Sequence, residues 1–227
     1  MNSKEEPLRC SLRPINPDSK EDVTAIADMH LELLDWGEMA GLGRLFLERF
    51  CYRTLVKDGL MQVSLYEVDR RPVGFIAYTA YSLIFHRRTL KKHFFYIALL
   101  IFLSILKKPA TICQLTRAVR LIRSRRSEHE HRKDAEGEIL AIGVLPEYRS
   151  LSFYKRTGLR ISEELFRSAV LYFKGVGLNR IDVFVDAFNT EALLFYKSFG
   201  SRMKPYHRAG VSMYQVTFDL NHSILQL

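Results

Sequence analysis

Two short stretches gather most of the side chains that could do chemistry. The first, residues 146–166, reads PEYRSLSFYKRTGLRISEELF and crowds Arg149, Lys155, Arg156 and Arg160 around Gly158. After it Ile161, Leu165, Ala169 and Phe173 recur at helical spacing. A helix opening at Gly158 just after a strand would aim unpaired backbone N–H groups and a positive dipole end at an anion, and glycine would let a phosphate come close. An ordinary basic helix start has the same appearance, so this stretch alone leaves both readings open. In the second stretch, IDVFVDAFNTEALLFYKSFG at 181–200, a strand ends at Asp186, Asn189 is placed to cap a helix, and Gly200 closes it.

The elements that would position these groups follow from hydrophobic periodicity. A strand is expected at 8–15, a helix from Asp18 to Leu34, and a second helix from Leu45 to Lys57. LMQVSLYEV (60–68), the turn DRRP and VGFIAYTAYS (73–82) form an antiparallel hairpin. After residues 83–136, where the pattern changes, come a strand at 138–145, the helix from Gly158, a strand at 180–186, a helix at 189–199 and a last hairpin through HRAG into VSMYQVTFDL. This order predicts a mixed sheet with helices on its faces, of α+β or α/β class. With 227 residues, 48% of them hydrophobic, the chain can bury one good core, and a single domain over 1–227 with an insertion at 83–136 is expected. The formal charge of +9 favours an acidic partner, whether a phosphate-rich cofactor, anionic lipid, acidic protein or nucleic acid. Cys10, Cys51 and Cys113 are too few and too scattered for a disulfide framework or a zinc site, and the N-terminal MNSKEEPLRC has no apolar signal core. A cytoplasmic protein is the expectation.

Three segments together resemble the GCN5-related N-acetyltransferase superfamily. They are V-x-P-x-x-R at Val144, Pro146 and Arg149; K-R-T-G-L-R at 155–160, in place of the family's Gln/Arg-x-x-Gly-x-Gly/Ala turn; and N-x-x-A-x-x-F-Y-x-x-F-G from Asn189 to Gly200, the most specific of the three. The resemblance implies a sheet of about seven strands with helices on both faces, and acetyl coenzyme A bound in a V-shaped opening between strands four and five. It further implies that the backbone of Ile142, Gly143 and Val144 pairs with the pantetheine amides as an added strand would. Arg149 and the run Lys155, Arg156, Thr157, Gly158, Leu159 and Arg160 would hold the pyrophosphate. Asn189 and Ala192 would border the pantetheine arm, and Tyr196 would face the sulfur. The sequence departs from the family at two points. SLSFYK separates Arg149 from Gly158, so either Arg149 or Lys155 takes the leading basic position, and Arg160 stands where the family has Gly or Ala.

Transfer of an acetyl group to a primary amine requires a neutral nucleophile, a stabilised oxyanion and a protonated leaving thiolate. Because an alkyl amine has a pKa of about 10.4, a base is needed near neutral pH. The resemblance assigns that role to Glu138, acting through water, the thiolate's proton to Tyr196, and the oxyanion to the Val144 N–H. No metal is implied. Asp182 and Asp186 alternate with Val183 and Val185, either as an exposed strand face or as a contact to the acceptor amine. His30 and Trp36 read as packing residues, and EHEH at 128–131 reads as a solvated loop, its two histidines sharing no helical face. The acceptor could be a small molecule, an amino sugar or a lipid-linked amine. Two alternatives stand beside this: an N-acyltransferase fed by long-chain acyl carrier protein thioesters, and a non-catalytic module that binds membrane or senses acetyl-CoA.

The insertion at 83–136 is mainly helical by pattern. FFYIALLIFLSIL (94–106) is thirteen residues long, short of the roughly 20 that cross a bilayer, so a full crossing is not expected. Between 83 and 133 there are thirteen Lys and Arg against two acidic residues, and TICQLTRAVRLIRSRR sets an apolar stripe against arginines. The segment is suited to cover an acceptor pocket or a homodimer interface, to lie on an anionic membrane at its inner, cytoplasmic face, or to dock an acyl carrier protein. Nucleic acid suits it less, because its aromatic residues cluster apart from its cations.

Overall fold

The computed structural model describes residues 8–107 and 137–221, apart from Trp36 and Ala209. Strand β1 (Cys10–Pro14) leads into α1 (Lys20–Leu33), a single turn α2 (Glu38–Gly41) and α3 (Arg44–Phe46), which continues as a π-helix over Leu47–Leu55. The hairpin β2 (Gln62–Val68) and β3 (Arg71–Thr79) follows, then the long helix α4 (Ser82–Lys107). Beyond it lie β4 (Gly137–Val144), α5 (Leu151–Thr157), α6 (Ile161–Gly175), β5 (Arg180–Asp186), α7 (Thr190–Ser198), β6 (Arg202–Arg208) and β7 (Val211–Asp219). The seven strands form one mixed sheet in the order β1-β2-β3-β4-β5-β7-β6, and β4 and β5 are its parallel pair.

Alternation along the strands divides the core in two. On one face α6 buries Leu165, Phe166, Ala169, Val170 and Phe173 completely against Val183, Val216 and Phe218. Full burial of each large apolar side chain contributes about 1.5–3 kcal/mol, so this helix is the principal anchor of that face. On the other face α1, the π-helix and α4 pack Ile26, Leu47, Tyr52 and Leu100 over Val63, Leu65 and Phe75. Arg13 clamps α1 to the sheet edge: its guanidinium donates to both Asp22 oxygens at 2.7 and 2.8 Å and to Glu67 at 2.7 Å. That fork, together with the N–H of Asn16, holds the Asp22 carboxyl below the usual carboxylate range despite its burial.

Three local features differ from the sequence expectation. Helix α1 starts at Lys20, two residues later, because the Ser19 hydroxyl accepts from Asp22 N at 3.2 Å and is the cap. The second expected helix is π-wound over much of its length, and the Thr54 hydroxyl donates to Arg49 O five residues back at 2.8 Å. Periodicity placed the helix correctly but could not distinguish the winding, since 47, 51 and 55 share a face in either form. SLSFYK, read as an interruption, forms most of α5; the Ser150 hydroxyl caps it by accepting from Phe153 N at 3.2 Å.

Candidate active site

β4 and β5 pair only over Gly137↔Ile181, Glu138↔Asp182 and Ile139↔Val183, and past that point they diverge. Each arm of the resulting V is held from its outer side. β3 follows β4 out to Val144, with an irregularity opposite Ala77–Tyr78 that leaves Leu140 bulged, and β7 follows β5 from Arg180 to Asp186. The Leu145 N–H donates to Val73 O at 2.9 Å, toward β3. Because successive backbone groups of a strand face alternate edges, the N–H and C=O of Val144 and Ile142 face the gap instead. The inner edge of β4 is thus an open strand edge that an extended amide chain can join. Gly143 keeps this arm against α1: a Cβ there would come within 2.9 Å of the Leu33 side chain and 3.1 Å of Phe75.

Glu138 and Tyr196 lie on opposite faces of the sheet. Glu138, 2% exposed, is on the α1 and α4 face at the closed end of the V, where the Ser82 hydroxyl at the start of α4 donates to its Oε2 at 2.7 Å. No spacing in the sequence could announce Ser82, which is 56 residues away from its partner. Asp182 stands opposite Glu138 in parallel register and is completely buried. It accepts from Gln215 Nε2 at 2.9 Å and Thr217 Oγ1 at 2.6 Å, which removes the reading of Asp182 as an exposed strand face. Tyr196 belongs to the core that also holds Val144 and Val185, one from each arm of the V, and its ring packs against Phe166, Phe195 and Phe218. Burial pushes its phenol well above the ordinary value, so it remains protonated throughout the working pH range. Asn189 caps α7 by accepting from Ala192 N at 3.1 Å, which leaves its amide NH2 to donate elsewhere.

The basic run is arranged differently from expectation. Gly158 closes α5 in the left-handed conformation, φ 72°, with its N–H on Tyr154 O at 2.7 Å; it does not open α6. Lys155 and Arg156 therefore sit in the last turn of α5, where cations favour the negative dipole end. Thr157 Oγ1 donates to Phe153 O and accepts from Leu159 N. The helix start near this loop is that of α6, where Ile161 and Ser162 have no intrahelical acceptor for their N–H groups. Arg160 lies at that start, stacked over the Tyr154 ring at 4.6 Å and paired with Glu163 at 2.7 Å. Arg149, after β4, pairs with Glu191, in the first turn of α7, at 2.8 Å, so an exposed ion pair links the connections that leave the two arms. Tyr66 donates to Glu164 at 2.9 Å and fixes the first turn of α6 to β2. Among the described residues no group of three or more His, Cys, Asp or Glu is placed to hold a metal.

No protein-family model matches the sequence, and no curated protein matches it. Solved structures do match. The fold is that of the GNAT acetyltransferases, whose structures superpose along nearly the whole chain at low sequence identity. A Desulfovibrio desulfuricans protein assigned as an acetyltransferase of the GNAT family superposes with TM-score 0.55 at 10% identity, covering 93% of this chain and 99% of its own. Arabidopsis thaliana NAA60, in complex with a bisubstrate analogue, gives 0.55 at 16% identity over 93% and 98%. A chimera of the spermidine N-acetyltransferase SpeG from Vibrio cholerae and hSSAT gives 0.55 at 15% over 96% and 99%. At these identities the likeness is one of fold.

Proposed function

We propose that this protein is an N-acetyltransferase that carries an acetyl group from acetyl coenzyme A to a primary amine by direct transfer. The observation that carries the reading is the V between β4 and β5, with the polar groups of Ile142 and Val144 on its inner edge. The fold is shared with Arabidopsis NAA60, which has been solved with acetyl-CoA. In this reading the pantetheine arm lies along β4 as an added strand, and the Asn189 amide borders it. The pyrophosphate is met by the start of α6 and by Arg149, once released from Glu191, with Lys155, Arg156 and Arg160 supplying long-range attraction.

The chemistry then divides between the two faces of the sheet. Through a water, Glu138 takes a proton from the incoming amine, and Ser82 orients the carboxylate. The amine nitrogen attacks the thioester carbon, and the Val144 N–H donates to the oxyanion that forms. As the C–S bond breaks, the Tyr196 phenol protonates the thiolate from the opposite side, the proton that the nitrogen sheds on collapse restores the phenol through solvent, and the products are the acetamide and free coenzyme A. Incubation with acetyl-CoA and a panel of amines, read by mass spectrometry, is expected to yield an acetylated amine and coenzyme A in equal amounts. Saturable coenzyme binding with no product from any amine would instead favour a non-catalytic acetyl-CoA sensor.

A further inference from the structure

Helix α4 presents an apolar face that the described residues do not cover. Phe95, Leu99, Phe102 and Leu106 follow one another in steps of four, three and four residues, which places them on one side of the helix. They are 86, 51, 57 and 64% exposed. The opposite side is occupied: Leu100 is 1% exposed, and Tyr96, Ile97 and Ile101 pack with it into the core over the π-helix. Such a contiguous exposed stripe calls for a partner.

Charge and length indicate which partner. From 83 to 107 the chain carries Arg87, Arg88, Lys91, Lys92 and Lys107 and no acidic residue. At the N-terminal end of the stripe Arg88, Lys91 and Lys92 line a concavity of about 480 Å³ with Asp58 and Leu60. Lys92 is neutralised there by Asp58 at 2.8 Å, so Arg88 and Lys91 remain to meet an anion. A second copy of the chain would set these cations against their own kind at each end of an antiparallel helix pair. A bilayer of anionic lipid satisfies both features, taking the rings and aliphatic side chains at the acyl boundary and the cations at the phosphates.

The helix is also built to lie on such a surface and not to pass through it. The stretch Arg87–Leu106 is long and apolar enough to span a membrane by length and composition, with mean hydropathy 1.6. However, helical geometry breaks at His93 (φ −122°, ψ 20°), and four cations precede the break. The apolar part after it, 94–106, rises only about 20 Å against a hydrocarbon core of about 30 Å. One side is committed to the protein core as well. We infer that α4 docks the protein peripherally on anionic membrane through Phe95, Leu99, Phe102 and Leu106, with Arg88 and Lys91 on lipid phosphates.

Flotation of the full chain with phosphatidylcholine vesicles, with and without phosphatidylglycerol, tests this. The wild type is expected to float with the anionic vesicles and to remain in solution with the neutral ones. The triple variant Phe95→Asn, Leu99→Asn, Phe102→Asn, changed only at exposed positions and melting as the wild type does, is expected to bind at least about tenfold more weakly. Lys91→Glu is expected to weaken binding severalfold without touching the stripe. The inference is overturned if the wild type does not float with anionic vesicles, if the triple variant floats equally well, if bound protein resists alkaline carbonate, or if the stripe proves to be a dimer contact that the triple variant dissociates. Vesicle binding needs no turnover, so none of these results bears on the acetyltransferase reading.

Discussion

At the scale of single residues the two faces of the V make separable demands. Tyr196→Phe retains the ring that packs on Phe166 and Phe218 and removes only the phenol proton. Turnover is expected to fall about 100-fold with coenzyme affinity unchanged, as read by steady-state kinetics beside calorimetric binding; loss of affinity would make Tyr196 a packing residue. Glu138→Gln still accepts from Ser82 but takes up no proton. It is expected to lower kcat/KM most on the acid side of the pH profile, and an unaltered profile would dismiss it as the base. His30 supplies a stability test away from this chemistry. Burial lowers its pKa from 6.5 to about 4, and its Nδ1 lies 2.5 Å from the Tyr52 hydroxyl. Below pH 6.5 the unfolded imidazole takes a proton that the folded one refuses until about 4, so stability is complete above 6.5 and declines as pH falls through that window. The loss is of order 3 kcal/mol at most. Melting curves between pH 7 and 4 should show this fall, and His30→Asn should flatten it; an equal slope in the variant would assign the decline elsewhere.

At the scale of elements, what was legible in the sequence follows from the range of each signal. Strands and long helices were readable because burial imposes periods of 2 or 3.6 on them: β1, β2, β4, β5 and β7 lie within two residues of the expected bounds, and β3 ends at Thr79, three residues short of Ser82. Asn189 was readable as a cap because capping is local. The orientation of Gly158 was not, because a glycine between a basic run and an apolar repeat can end one helix or begin the next; here Ser150 caps the start of α5 ahead of the basic run and Gly158 ends it with its N–H on Tyr154 O. The pairing of Arg149 with Glu191 and of Ser82 with Glu138 depends on contacts 42 and 56 residues apart, which no window along the chain samples. The helical pattern at 111–126 and the EHEH segment lie outside the described residues, as does Trp36. The β2–β3 turn offers a test at this scale. Asp69 and Arg70 both have positive φ, 49° and 66°, as a two-residue hairpin turn of this hand requires. Asp69 is retained by a hydrogen bond from Arg9 N at 2.9 Å, whereas Arg70 bears the left-handed conformation at a cost of about 1 kcal/mol. Arg70→Gly is therefore expected to raise the melting temperature by a few degrees, and a lowered one would show that the arginine side chain contributes more than its backbone costs.

At the scale of the whole molecule, the sheet opens where it does because its neighbours hold the two arms apart. β3 and β7 satisfy the outer edges of β4 and β5, and the α6 and α7 side chains fill the core on one face beneath both. Among the described residues the inner-edge pairing is confined to the three-residue parallel segment at the closed end, beside Glu138. The account stands on what fills the opening beyond Ile139. Hydrogen exchange with and without acetyl-CoA measures this directly: the amides of Ile142 and Val144 are expected to become protected on saturation with the thioester, together with the start of α6. Saturable binding that leaves those two amides exchanging as before, or no saturable binding at all, would contradict it.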